Sequence, residues 1–127
     1  MEIVAKKNFN FWNEALLSKD PKKVVALYTE DVTFLPTLSS DFKMGKSGAE
    51  EYFIHFLEKN PEGKIIAEKV QKLSENSYSH SGLYDFEVDN EEKEGERKVV
   101  RARFTFVWEK DKEGKWKIIH HHSSLLP

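Results

Sequence analysis

The sequence predicts an α+β domain: three N-terminal helices packed on a curved, mostly antiparallel sheet, forming a cone with a cavity between helices and sheet. Three observations predict it. Apolar residues recur at helical spacing up to about Lys59, then alternate with polar ones after Gly63. Helical and strand-like segments are segregated along the chain rather than interleaved, which is the pattern of an α+β fold. The later strands are long and the helices few, so the sheet has to wrap around them, and such a cone keeps room for a small ligand.

The first helix is expected over about Ile3 to Ser18, where Phe9, Trp12 and Leu16 share one side and Phe11 and Ala15 flank them. Asp20-Pro21 restarts the chain as an N-cap followed by a first-turn proline. Val24, Val25, Leu27 and Tyr28 give the second helix its apolar side, and Thr29-Glu30-Asp31 ends it. Val32-Thr33-Phe34-Leu35 reads as a short strand stopped by Pro36. Loop residues Ser39-Ser40-Asp41 and a turn at Gly45 follow. Ser47 and Glu50 match a capping box for a third helix reaching about Lys59, with Tyr52, Phe53, Phe56 and Leu57 on its buried side. Asn60-Pro61-Glu62-Gly63 is a strong turn.

Lys64 to Leu73 is strand-like, and Ser74-Glu75-Asn76 turns the chain. In the next strand Tyr78, His80, Gly82, Tyr84, Phe86 and Val88 share a face. The charged stretch Asp89 to Glu96 is a solvated loop. Val100, Ala102, Phe104, Phe106 and Trp108 then point one way, and Val99, Arg101, Arg103, Thr105 and Val107 the other. After a turn at Asp111 to Gly114, alternation places Trp116, Ile118, His120 and His122 on one face and Ile119 and His121 on the opposite one.

A chain of 127 residues is a single domain, able to bury a core without covalent staples. The absence of cysteine excludes disulfide frameworks, thiolate metal sites and cysteine nucleophiles. A formal net charge of -2, with lysines interleaved among glutamates, gives no global attraction to nucleic acid or an anionic membrane. No apolar run would span a bilayer, and the N-terminus lacks the apolar stretch of a signal peptide, so a cytoplasmic protein is expected. No cofactor is expected either, because no glycine-rich phosphate loop or nucleotide fingerprint is present. Ser47, Ser123 and Ser124 lack a nucleophile-elbow context.

Four sets of residues carry whatever chemistry the sequence offers. His120 and His122, two apart on a strand, are spaced to ligate a metal or to hydrogen-bond in a core or interface. No third ligand stands at metal-site spacing, and no metal is expected. Arg101 and Arg103 share a strand face opposite the Phe104/Phe106/Trp108 side, so they suit either a carboxylate ligand or cross-strand ion pairs with Asp85 or Glu87. Trp12, Tyr28 and Tyr84 suit either the rim of a ligand cavity or an ordinary aromatic core. Asp31, Asp41, Asp85, His55, His120 and His122 are the groups available for acid–base chemistry, and none forms a recognisable pair by spacing.

The segment Trp116-Lys117-Ile118-Ile119-His120-His121-His122-Ser123-Ser124-Leu125-Leu126-Pro127 resembles the C-terminal signature Trp-x-x-Val-His-x-His-x-Ser, with a following Pro, of the association (hub) domain of calcium/calmodulin-dependent protein kinase II. Trp116, Ile119, His120, His122, Ser124 and Pro127 fit that signature, as do Val107-Trp108 and Gly114-Lys115-Trp116 upstream. Glu14-Ala15, Asp20, Gly45, Phe53 and Phe56 agree more loosely. The kinase hub carries Arg just before its Val-Trp, where this chain has Phe106, and no kinase domain or calmodulin-binding helix is present. The chain looks more like stand-alone bacterial relatives of that hub domain, within the nuclear transport factor 2-like (SnoaL-like, cystatin-like) superfamily.

The resemblance implies a homodimer or larger homo-oligomer formed through the convex sheet face, with a pocket on the other face; it does not imply kinase regulation. Arg101, Arg103, Thr105 and His121 are then the expected interface residues. Trp12, Tyr28, Tyr84, His120 and His122 are the expected contacts of a small, carboxylate-bearing ligand. The alternative is a lyase, isomerase or hydratase with Asp31, His120 or His122 as acid or base, an expectation resting on fold analogy. A transport adaptor is a third reading, with no partner motif to support it.

Overall fold

The computed structural model describes all residues 1–127. The first helix, α1 (Glu2–Leu17), buries Ala5, Asn8, Phe9, Trp12 and Leu16 along one side, the spacing that brings side chains to one helical face. The second, α2 (Pro21–Val25), is only five residues long. Asp20 caps it by accepting a hydrogen bond from the Lys22 N–H at 2.9 Å, and Pro21 occupies its first turn.

Strand β1 (Tyr28–Leu35) begins earlier than expected. Leu27 and Tyr28 fit the helical period, yet the Ile118 N–H donates to the Leu27 carbonyl at 2.7 Å, and Tyr28 pairs with Ile118. A long-range strand partner overrides local periodicity here. A two-residue strand, β2 (Lys43–Met44), pairs antiparallel with β1 and was not predicted.

Helix α3 (Gly45–Phe56) and a single 3₁₀ turn (Leu57–Lys59) follow. The expected capping box does not form. Met44 is the N-cap and no side chain caps the helix, so Ser47 lies inside the first turn. Gly45 enters α3 at φ 79°, where an added Cβ would lie 3.2 Å from the Glu30 carbonyl oxygen. Asn60 closes the 3₁₀ turn in the left-handed region at φ 53°, a conformation Asn tolerates.

Four long strands complete the chain: β3 (Glu62–Ser74), β4 (Ser77–Asp89), β5 (Arg97–Lys110) and β6 (Trp116–Leu125). The sheet order is β2-β1-β6-β5-β4-β3. Only the β1–β6 pair is parallel; the others are antiparallel. Asp111 shapes the last hairpin by accepting from the Glu113 and Lys115 N–H groups, both at 2.9 Å.

The helices pack on one face of the sheet, and their apolar sides join the inward residues of the strands in one core. On β4 these are Tyr78, His80, Tyr84, Phe86 and Val88, and on β5 Ala102, Phe104, Phe106 and Trp108, as the alternation predicts. The intervening residues of β5 face outward. At Gly82 the β3 and β4 backbones approach closely. A Cβ there would lie 1.9 Å from the Ala67 carbonyl oxygen, next to a register shift in β3. No helix is long and apolar enough to cross a membrane.

The expected faces of β6 are exchanged beyond Ile118. Trp108 pairs with Ile118 but Val107 pairs with His120, so Ile119 is an extra residue in the ladder. Such a bulge shifts all later side chains by one place. His121 and Ser123 therefore point inward and are buried, while His120 and His122 point outward.

Candidate functional site

The inward end of β6 meets α1, β1 and β4 at a cluster of polar groups inside an aromatic shell. His121 is 2% exposed. Its ring lies between Phe34, at a centroid distance of 4.9 Å, and Phe106, at 4.1 Å, stacked on both. The Trp12 indole meets it edge-on at 5.7 Å. The imidazole Nδ1 is 3.0 Å from the Tyr28 hydroxyl, and Nε2 is 3.2 Å from the Tyr84 hydroxyl. Trp12 Nε1 donates to the Tyr28 oxygen at 3.0 Å. Tyr84 donates to Ser123 Oγ at 2.6 Å, and Ser123 Oγ in turn contacts Thr37 Oγ1.

Burial lowers the His121 pKa well below that of a free imidazole, and the nearby His120 and His122 push the same way. The ring is therefore neutral near pH 7. Burial raises the Tyr28 and Tyr84 hydroxyls well above the usual phenol range, with Trp12 and Ser123 partly opposing it. Both are neutral phenols. Every polar group of the cluster is uncharged, as its low-dielectric surroundings demand.

The space left inside is small. A void of about 10 Å³ lies among Trp12, Phe34, Thr37, Tyr52, Phe53, Phe56, Tyr84, Phe86 and His121, room for about one water. A cleft of about 270 Å³ opens beside it, lined by Leu38, Ser39, Asp41, Lys43, Glu51, Tyr52, His55, Phe56 and Lys59. Tyr52 and Phe56 line both, so these two rings, stacked at 5.4 Å, form the partition between cleft and interior. Burial pushes the Tyr52 hydroxyl up to about 12.

The structure thus brings Trp12, Tyr28 and Tyr84 together, around His121. It does not bring His120 and His122 to them. His120 is on the outer face with Nδ1 2.6 Å from Thr33 Oγ1, and His122 is exposed beside Arg103, Thr105 and Ser124. His121, expected at the outer interface, is in the interior. Both corrections have one cause, the extra residue at Ile119, which no local sequence signal announces. Asp31 is exposed on β1. Asp41 pairs with Lys43 at 3.5 Å, and His55 lines the cleft. Thr37 is not singled out by the sequence, and Tyr52 and Ser123 are expected there only as a buried helix residue and as a serine outside any nucleophile elbow, because a lone Thr, Tyr or Ser carries no motif. No group of three or more His, Asp or Glu side chains converges where it could hold a metal ion.

The arginines are on the outer face. Arg101 grips Asp85 with two hydrogen bonds, Nε at 2.7 Å and Nη2 at 3.0 Å, across directly paired positions. This is the expected cross-strand ion pair, and it holds the Asp85 carboxyl below the usual carboxylate range. Arg97 pairs with Asp89 at 2.9 Å. Arg103 has no carboxylate within ion-pair distance in this chain. No cationic side chain lines the interior void.

His80 is a second buried imidazole, away from this cluster. Its Nε2 is 3.2 Å from Glu68 Oε1, and Nδ1 has no partner. Burial lowers its pKa, although Glu68 pulls it upward.

No curated protein sequence matches the chain. Among solved structures, a Xanthomonas campestris protein provisionally assigned as a calcium/calmodulin dependent protein kinase II association domain is 40% identical, with a TM-score of 0.91 over 99% of this chain and 86% of that one. A ketosteroid isomerase-like protein from Erwinia carotovora atroseptica shares the fold at 17% identity and TM-score 0.77, over 96% of this chain and 93% of that one. A nuclear transport factor 2-like superfamily protein from Salmonella enterica does so at 19% identity and TM-score 0.78, over 95% and 87%. The fold is therefore the nuclear transport factor 2-like, cystatin-like one. The family model for the calcium/calmodulin dependent protein kinase II association domain matches residues 2–127, and the chain belongs to that family of oligomerisation domains.

Proposed function

We propose that the chain is a self-associating module that pairs with a second copy through the outer face of β5 and β6. One observation carries this reading beyond family membership. All helices lie on the inner face, and the centre of the outer face is left open with Arg103 on it, unpaired, among Thr105, Val107, His120, His122 and Ser124. An exposed face of mixed apolar, hydroxyl and imidazole groups with few carboxylates is suited to burial against its own copy. In a two-fold arrangement each such residue serves twice. Arg101 is occupied by Asp85, so Arg103, Thr105 and Val107 are the β5 residues that meet the partner.

The test is size-exclusion chromatography with light scattering on the wild type and Val107→Glu. The substitution places like charges across the two-fold axis. The wild type is expected at twice the 14.9 kDa chain mass or more, and the variant at the chain mass with unchanged circular dichroism. A folded variant that remains associated would move the interface elsewhere.

A second reading is favoured by the buried His121 cluster. Hydroxyl and imidazole groups gathered in an aromatic shell, one void away from an open cleft, suit a small-molecule site inside the cone. If that site performs acid–base chemistry, His121 is the group placed for it, since Asp31, His120 and His122 lie outside. A thermal-shift screen of small aromatic compounds, comparing wild type with His121→Asn, tests this reading. Hits lost in the variant support it.

A further inference from the structure

We infer that the interior site, if it binds a ligand as the second reading holds, selects an uncharged aromatic carbonyl compound over the corresponding carboxylate, because a one-way hydrogen-bond chain starting at Trp12 fixes His121 as the Nε2–H tautomer and leaves a hydroxyl hydrogen over at the chain's far end.

The direction of the chain follows from its first member. An indole N–H only donates, so the Tyr28 oxygen accepts from Trp12. The only other partner of the Tyr28 hydroxyl is His121 Nδ1, so its hydrogen goes there; the opposite choice would bury an O–H with no acceptor, which native structures avoid. Nδ1 is thus an acceptor, and the proton of the neutral ring sits on Nε2. That N–H donates to the Tyr84 oxygen, Tyr84 donates to Ser123, and Ser123 meets Thr37.

Six groups in this chain each carry one hydrogen, and five contacts join them. These five contacts leave one hydrogen over at the Ser123–Thr37 end, whichever of the two hydroxyls donates to the other, with the neighbouring Tyr84 oxygen as the acceptor a ligand must displace. Thr37 lines the interior void beside Phe34, Phe53 and Phe56. The site therefore offers a hydrogen-bond donor and flat apolar walls, and no cation. A carbonyl oxygen satisfies that donor. A carboxylate held at Thr37 would bring a charge with no cation in the void to pair it, the cleft's Lys43 being engaged by Asp41 and Glu51 and its Lys59 by Glu91, and burial penalises an unpaired charge. The void takes about one water, so a ring-sized ligand enters only as Tyr52 and Phe56 turn toward the adjoining cleft.

Acetophenone and benzoate are the probes, since they share a ring and differ in charge. Long-range ¹H–¹⁵N spectra of the whole chain report the His121 tautomer and its response to each compound. The expected result is an Nε2–H tautomer, and acetophenone binding at least about 10-fold tighter than benzoate at pH 7.5, a ratio worth about 1.4 kcal/mol. Thr37→Val should erase most of that ratio while leaving the tautomer unchanged. Tyr52→Ala, which opens the partition, should tighten acetophenone. Benzoate binding as tightly as acetophenone, with His121 shifts, would overturn the selectivity while leaving the site reading intact. An Nδ1–H tautomer would overturn the chain's direction. Binding of neither compound, to wild type or to Tyr52→Ala, would remove the site reading and the inference with it.

Discussion

At the scale of residues, burial holds the His121 imidazole well below its free value, and this gives it a measurable signature. The unfolded chain protonates this imidazole near pH 6.5, whereas the buried ring resists protonation until lower pH. Stability from this group is therefore complete above pH 6.5 and falls as pH drops below it, by about 1.4 kcal/mol per pH unit. His80 and His120 are lowered by burial and act in the same direction. His121→Phe removes one of these titrations and strands the Tyr28 hydroxyl hydrogen. It should cost about 1–3 kcal/mol at pH 7.5 and show a shallower loss of stability down to pH 5.5. Urea unfolding at the two pH values checks this, and equal losses in both proteins would count against a neutral, buried His121. The Arg101–Asp85 pair was legible in the sequence, because strict alternation along β5 and β4 puts both on the outer face. The roles within the His120-His121-His122 triplet were not, because one inserted residue at Ile119 decides which histidine is inside.

At the scale of elements, the sheet depends on Gly82. An added Cβ would collide with the Ala67 backbone at 1.9 Å, and backbone has little freedom to give. Gly114 shares a restrictive conformation, φ 81°, but has open space around it. Gly82→Ala should therefore destabilise by about 1–3 kcal/mol or more through overpacking, and Gly114→Ala by about 1 kcal/mol through backbone strain alone. Chemical denaturation of both variants checks the ranking, and the reverse order would contradict the close approach of β3 and β4. Long strands were readable from the sequence because their periodicity is local and sustained. The start of β1 was not, since Tyr28 joins the sheet through a partner, Ile118, distant in sequence. The two-residue β2 was too short to show a period, and the Ser47/Glu50 motif was displaced by an earlier helix start at Gly45.

At the scale of the whole molecule, the two sheet faces divide the labour. The inner face carries the aromatic core and the neutral His121 cluster. The outer face carries all three arginines, two of them neutralised within the chain. The C-terminal motif made the family readable before any geometry was known. The void's small size and the partition at Tyr52 and Phe56 were not readable, because they depend on how α3 seats against β1 and β4. An interface centred on Arg103 predicts a further variant: Arg103→Glu should shift the association equilibrium, with an effect that shrinks as salt rises. Sedimentation at low and high salt checks that.

The most direct measurement is native mass spectrometry of the untagged protein at micromolar concentration. An intact assembly at a whole-number multiple of 14.9 kDa, a dimer or a larger closed oligomer, is the expected result. A folded species at the single-chain mass, with no higher assembly at any concentration up to about 100 μM, a range in which stable dimers of Kd about 1 μM are populated, would contradict the account.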